Sequence, residues 1–186
     1  MSVRHGLLAL LAEGPSYGYQ LRTRLRARTG GTWPLNIGQV YTTLSRLERD
    51  GLVEATERDG QATYRITEAG RAAVADWFTG PVERPAPARD ELAIKLALAV
   101  GSPAADVRRV VRVQRAATEQ GLRELTRLRA AADADADLAW TLVLDALVFQ
   151  AEAELRWLDH CETQLPDMPA ARLPVGSQAA DGVMPD

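Results

Sequence analysis

Apolar side chains return every three or four residues along most of this chain. From Gly38 to Val53, GQVYTTLSRLERDGLV, they fall at Val40, Leu44 and Leu47, the spacing of one α-helical stripe. The opposite side carries Gln39, Thr42, Thr43, Arg46 and Arg49, polar and basic groups able to meet phosphates and base edges. Asn36 followed by Gln39 fits an N-cap with its reciprocal partner three residues on, and Gly51 stands where a left-handed residue would close the helix. Two earlier helices are predicted. The first runs from Ser2 to Glu13 with Val3, Leu7, Leu8, Leu10 and Leu11 apolar, and Gly14-Pro15 ends it. The second starts from a Ser16 cap and runs to about Thr29, with Tyr17, Leu21 and Leu25 as its buried stripe and Gly30-Gly31 as its stop.

Arg22, Arg24, Arg26 and Arg28 lie mostly off that stripe; they form a solvated face, or one or two of them touch phosphate. Pro34 disfavours helix at Trp33, which leaves the indole to plug the junction between helices or to stack on a nucleobase. Beyond Gly51 the period changes from helix to strand. Leu52 to Glu57 and Ala62 to Thr67 predict two short strands joined through Asp59-Gly60, with Tyr64 and Ile66 inward and Thr63 and Arg65 outward. Thr67-Glu68 then opens a fourth helix containing Ala73, Val74 and Trp77, stopping before Gly80-Pro81. Three helices, a polar-faced third one and a hairpin wing predict a winged helix-turn-helix over residues 1–80.

Residues 81–90 read as a linker: TGPVERPAPARD, from Thr79 to Asp90, is rich in proline and charge and has no period. Residues 91–165 read as wholly helical. Asp90 caps a short helix over Glu91 to Val100, Ser102-Pro103 opens a long one to about Ala131, and after ADADAD another runs from Leu138 to about Leu165. The stretch from Leu138 to Phe149 is apolar on nearly every face, and two helices of about 40 Å have little else in the chain to cover them. A second copy of the chain is the simplest cover, with Leu142, Leu147, Leu155 and Leu158 at the seam. Residues 166–186, holding four prolines among Ala, Gly and Asp, read as a disordered tail. The fold class is therefore mainly α with a small β-hairpin wing, an N-terminal winged helix-turn-helix followed by a C-terminal long-helix dimerisation domain.

Composition narrows the function classes. The net charge is −3, yet the chain through Gly80 holds ten Arg against eight acidic residues, while the rest holds twelve basic against seventeen acidic. A positive excess confined to one end suits a nucleic-acid-reading module attached to another kind of module. The single cysteine, Cys161, excludes an intrachain disulfide, and no apolar run reaches eighteen residues, so the expectation is a cytoplasmic protein that meets no membrane. No nucleophile elbow, phosphate loop, dinucleotide motif or zinc spacing occurs, and no enzyme activity, metal or cofactor is expected. His160 and Cys161 are adjacent on a helix, about 100° apart, and form no ready ligand pair. Glu152, Glu154, Asp159 and Glu162 suit a solvated face or interhelical ion pairs better than acid–base work. Trp77, Trp140 and Trp157 either pack interfaces or line an apolar cavity for a planar effector.

Three segments, GLLALLAEGPSYGYQLRTRL at 6–25, GQVYTTLSRLERDGLVE at 38–54 and TYRITEAGRAAV at 63–74, resemble the PadR family of transcriptional regulators. The resemblance covers about the first eighty residues in motif and the remainder in architecture. It implies a homodimer built by the C-terminal helices, two winged helices on half-sites of an inverted repeat of double-stranded DNA, and repression relieved by a small aromatic effector, phenolic acids or planar drugs being known in the family. It also implies phosphate contacts by the hydroxyls of Tyr41 and Tyr19. The wing, ERDGQATYR, is less basic than family versions with several Lys or Arg. On this reading Gln39, Thr42, Thr43 and Arg46 meet bases or nearby phosphates, and Tyr41, Arg49, Arg58 and Arg65 position the backbone. A winged-helix protein-interaction adaptor, or an aromatic-ligand-binding protein that releases no DNA, are the alternatives.

Overall fold

Leucines at positions 7, 8, 10 and 11 give the first helix two adjacent apolar rows, enough to face three neighbours at once. In the computed structural model, which describes residues 3–58, 61–82, 90–133 and 137–165, that helix is α1 (Val3–Ala12) and all four leucines are buried. It is followed by β1 (Ser16–Tyr17), α2 (Gly18–Arg28), α3 (Ile37–Arg49), β2 (Val53–Arg58), β3 (Gln61–Ile66), α4 (Glu68–Thr79), α5 (Glu91–Ala99), α6 (Val107–Ala131) and α7 (Leu138–Gln164). The chain divides into two compact units, one of residues 1–85 with 127–147 and the other of residues 86–126 with 148–186. The division does not follow the chain in order, because the ends of α6 and α7 nearest their connection group with the N-terminal residues.

In the first unit α1 packs on α2, α3 and α4, and the core joins its leucines to Leu21, Val40, Leu44, Leu47, Val53, Tyr64, Ile66 and Val74. Alternation in β3 turns Tyr64 and Ile66 inward and leaves Arg65 exposed, as the strand period demands. The sheet has three antiparallel strands in the order β1-β3-β2, with Ser16 opposite Tyr64, and Val53 opposite Ile66. Two expectations change here. Ser16 is a strand residue paired to β3, and the residue capping α2 is Tyr17, whose backbone N–H donates to Gln20 Oε1 at 3.0 Å. Trp33 does not plug the helix junction: it is 41% exposed. The arginines of α2 are largely structural. Arg24 and Arg28 both bond Glu13 beyond the end of α1, and Arg22 Nε donates to Leu35 O at 3.0 Å.

The second unit is built on α5 and the adjoining parts of α6 and α7. Asp90 caps α5, accepting from the N–H groups of Leu92 and Ala93 at 3.0 and 3.1 Å. Its core is Leu96, Val111 and Leu158, flanked by Leu92, Val107, Val110, Trp157, Cys161 and Leu165. The α6 start differs from expectation. Residues 102–106 form a turn and Asp106 takes the capping role, its carboxylate accepting from Arg109 N at 3.1 Å. Ser102 instead accepts from Ala104 N at 3.3 Å within that turn, and the charge of Asp106 suits the start of a helix. Interhelical polar pairs hold α6 to α7. Glu154 Oε1 accepts from Gln114 Nε2 at 2.9 Å and Thr118 Oγ1 at 2.5 Å, and Arg115 reaches Asp159 at 2.9 Å and Glu162 at 3.6 Å. The central part of the linker, the middle of ADADAD, the Asp59-Gly60 turn and the tail lie outside the described residues.

The hydrogen bond from Arg28, with the charges of Arg28 and Arg24, holds the Glu13 carboxyl below its ordinary value against a smaller opposing effect of burial. A depressed carboxyl adds stability above its unfolded pKa and loses it as pH falls through the folded one. Glu13→Gln is therefore expected to cost less than about 1 kcal/mol near neutrality, because the cluster is solvent-screened. The difference from wild type should shrink to nothing on acidification below the ordinary carboxylate range, as read from urea midpoints at several pH values.

Candidate nucleic-acid interface

The third helix is fixed at both ends by its own sequence. At the start Asn36 Oδ1 accepts from Gln39 N at 2.7 Å while Gln39 Oε1 accepts from Asn36 N at 3.1 Å, a reciprocal capping box. At the end Gly51, with φ of +71°, donates to Glu48 O and the next residue, Leu52, donates to Leu47 O, each at 2.9 Å. This is the Schellman closure, which needs a left-handed residue at the glycine. Thr67 ties the closure to the next helix, its hydroxyl donating to Gly51 O at 2.8 Å and accepting from Gly70 N at 3.1 Å. Between these ends Val40, Leu44 and Leu47 are buried completely.

The opposite face is open. Gln39, Tyr41, Thr42, Arg46 and Arg49 are exposed, as is Ser45, which lies three residues beyond Thr42 on the same side and belongs with this set although its small size gave no sign of it in the sequence. Thr43 is half-buried and spends its hydroxyl proton on Gln39 O at 2.7 Å. Asp50, the last cap residue, is bonded by Arg4 of α1 at 2.5 Å and lies 3.6 Å from Arg49. The Arg4 bond first, then the charges of Arg4 and Arg49, hold its carboxyl below the ordinary value, so it stays ionised beside them. Tyr19 on α2 is 62% exposed and Tyr41 43%. Arg65 projects from β3 directly opposite Glu54 in the strand register; Arg58 ends β2, and its side chain lies outside the described set.

The three tryptophans do not share a site. Trp77 stacks on His5, ring centroids 5.4 Å apart and planes 6° from parallel, with Phe78 tilted against it. Trp140 lies across the backbone of Gly30 in the first unit. Trp157 lines a cleft of about 260 Å³ in the second unit whose walls include Leu96, Val100, Val107, Val111 and Cys161. Of the leucines expected at a dimer seam, Leu142 is 60% exposed and Leu147 and Leu155 are half-buried. Leu158 is fully buried within its own unit against Leu96 and Val111, so it has no surface left to offer a second copy. Among the described residues no helix is long and apolar enough to cross a membrane, and no group of three or more His, Cys, Asp or Glu is placed to hold a metal.

Helices α1–α3, the β2–β3 wing and the long helices α6 and α7 define a winged helix-turn-helix protein with a helical C-terminal part. Residues 7–76 match the PadR-like family of transcriptional regulators, and residues 88–166 match the C-terminal region of the virulence activator alpha family. The chain is 30% identical over 180 residues to the probable transcriptional regulator Rv1176c of Mycobacterium tuberculosis, an alignment covering 86% of this chain and 95% of that protein. It belongs to the PadR family, whose members are transcriptional regulators rather than enzymes. Bacillus subtilis PadR shares the fold in two complexes. With p-coumaric acid the TM-score is 0.69 at 20% identity, covering 87% of this chain and 96% of that one. With operator DNA it is 0.65 at 18%, covering 88% and 97%.

Removing the first cap should loosen the whole presentation. Asn36→Ala is expected to lower stability by about 1 kcal/mol, within the range for lost N-caps, measured as a shift of the urea midpoint at unchanged slope.

Proposed function

We propose that this chain is a cytoplasmic transcriptional repressor that binds an inverted-repeat DNA operator as a homodimer and is released by a small aromatic compound. The observation that carries the DNA part is the third helix, whose apolar stripe is wholly buried while its polar face stands open between two fixed ends. A helix so presented can enter a major groove with Thr42, Ser45, Arg46 and the Gln39 amide toward base edges. Tyr41, Tyr19, Arg49, Arg58 and Arg65 then serve the phosphates. Bacillus subtilis PadR, of the same fold, is known in complex with operator DNA.

Exposed apolar side chains on the C-terminal helices support the second copy. Leu98, Val113, Leu142 and Phe149 are each more than 60% exposed or at that value, an amount of uncovered apolar surface that association would bury. The Trp157 cleft supports the effector. Its 260 Å³ is small against the roughly 300–1,000 Å³ of ligand pockets, which limits an occupant to about one aromatic ring with a short substituent; the p-coumaric acid held by Bacillus subtilis PadR is of that size.

Two measurements test this. Binding to a duplex selected from a random library should weaken steeply with salt, and Arg46→Ala should either lower the salt slope by about one unit or, if a guanine is its target, cost roughly 1–3 kcal/mol of discrimination at one base pair. An affinity, slope and sequence preference all equal to wild type removes Arg46 from the interface, and a wild-type protein with no salt-dependent binding points to the adaptor reading. Light scattering should give a mass of twice 20.2 kDa for wild type, and Leu142→Glu should shift it toward the monomer.

A further inference from the structure

Gly18 opens α2, and its conformation does not explain why a glycine is there. Its φ is not among the positive ones, so an alanine would suit the backbone and favour the helix. The reason lies across from it. A Cβ built on Gly18 would fall 2.8 Å from Cε1, 2.9 Å from Cζ and 3.3 Å from the hydroxyl oxygen of Tyr41, and these are its three nearest atoms. The hydroxyl end of the Tyr41 phenol therefore lies against the bare α-carbon, in the space that any side chain would take.

Both partners of this contact are anchored independently. Gly18 follows the strand residues Ser16 and Tyr17, which pair with Tyr64 and Thr63, and the turn into α2 is held by the Tyr17 N–H to Gln20 Oε1 bond. Tyr41 stands on the capped first half of α3, flanked by the completely buried Val40 and Leu44. Tyr41 is 43% exposed, so its side chain has an open side toward solvent as well as the seat over Gly18. Burial, and after it the nearby charges of Glu48 and Tyr41, push the Tyr64 phenol above its ordinary value.

We infer that Gly18 is a positioning residue for DNA binding: by lacking a side chain it seats the Tyr41 ring and fixes the direction of its hydroxyl before any DNA arrives. This rests on the reading of Tyr41 as a phosphate contact. A preset side chain avoids the ordering cost that a free rotor pays on binding, so displacing the ring should weaken binding about tenfold. The ring has solvent to move into, and the fold should not suffer.

The experiment compares wild type, Gly18→Ala, Tyr41→Ala and the double variant for stability by thermal unfolding and for affinity to the library-selected duplex at fixed salt. Gly18→Ala is expected to keep the wild-type melting temperature within a few degrees and to lose about tenfold in affinity. In the Tyr41→Ala background the three atoms nearest the new methyl are gone, so the double variant should match Tyr41→Ala in both measurements. Losses that multiply, a Gly18→Ala protein that binds like wild type, or one that unfolds would each overturn the assignment. Failure of the parent reading is separate: there the wild-type protein itself selects no duplex, and the role of Gly18 falls with it.

Discussion

The reciprocal hydrogen bonds between Asn36 and Gln39 are the constraint on which the rest of the N-terminal unit turns. An unanchored α3 would fray by a turn, and fraying would carry Gln39, Tyr41 and Thr42 with it. The box stops the fray at the start, and the glycine closure at Gly51 stops it at the end, where Thr67 also receives the chain into α4. With both ends fixed, the burial of Val40, Leu44 and Leu47 sets the rotation of the helix about its axis, and the exposed row follows from geometry alone.

Charge is distributed so that few arginines are left for a ligand. Glu13 takes Arg24 and Arg28, a backbone carbonyl takes Arg22, and Asp50 takes Arg4 and lies close to Arg49. In the wing Arg65 faces Glu54 across the ladder, so part of its field is cancelled at short range. A surface with so modest an excess of positive charge gains little from the sequence-independent phosphate attraction. Its binding depends correspondingly more on the geometry of the few groups that touch, and a fixed α3 and a seated Tyr41 matter more here than they would in a lysine-rich protein.

The local features were legible because their causes are local. Asn36, Gln39, Gly51, the three-four rhythm and the alternation of the wing strands act within a few residues, and the sequence reading of α3, the two wing strands and α5 agrees with the structure. The misses share the opposite origin. A two-residue strand such as β1 has no period to detect, and it exists because β3 lies beside it. Trp33 and Leu158 have the same apolar character on paper, yet one is 41% exposed and the other fills a core, a difference set by elements far away in the chain. Gly18 was unreadable for the same reason. Its partner Tyr41 lies on another helix, and a glycine at a helix start ordinarily signals nothing more than a turn.

What α3 could read follows from which of its polar atoms are already used. The Gln39 oxygen is engaged by Asn36 N, which leaves the amide NH₂ as the free end, and the Thr43 proton is given to the helix, which leaves that hydroxyl only as an acceptor in a half-buried place. Arg46 offers donors alone. Thr42 and Ser45 can act either way, but the exposed face as a whole is rich in donors. In the major groove the acceptors are the N7 and O6 atoms of guanine, the N7 of adenine and the O4 of thymine, whereas cytosine presents a donor. On the proposed docking the strand facing Gln39 and Arg46 should therefore be purine-rich, and a cytosine there would set donor against donor across a desolvated gap.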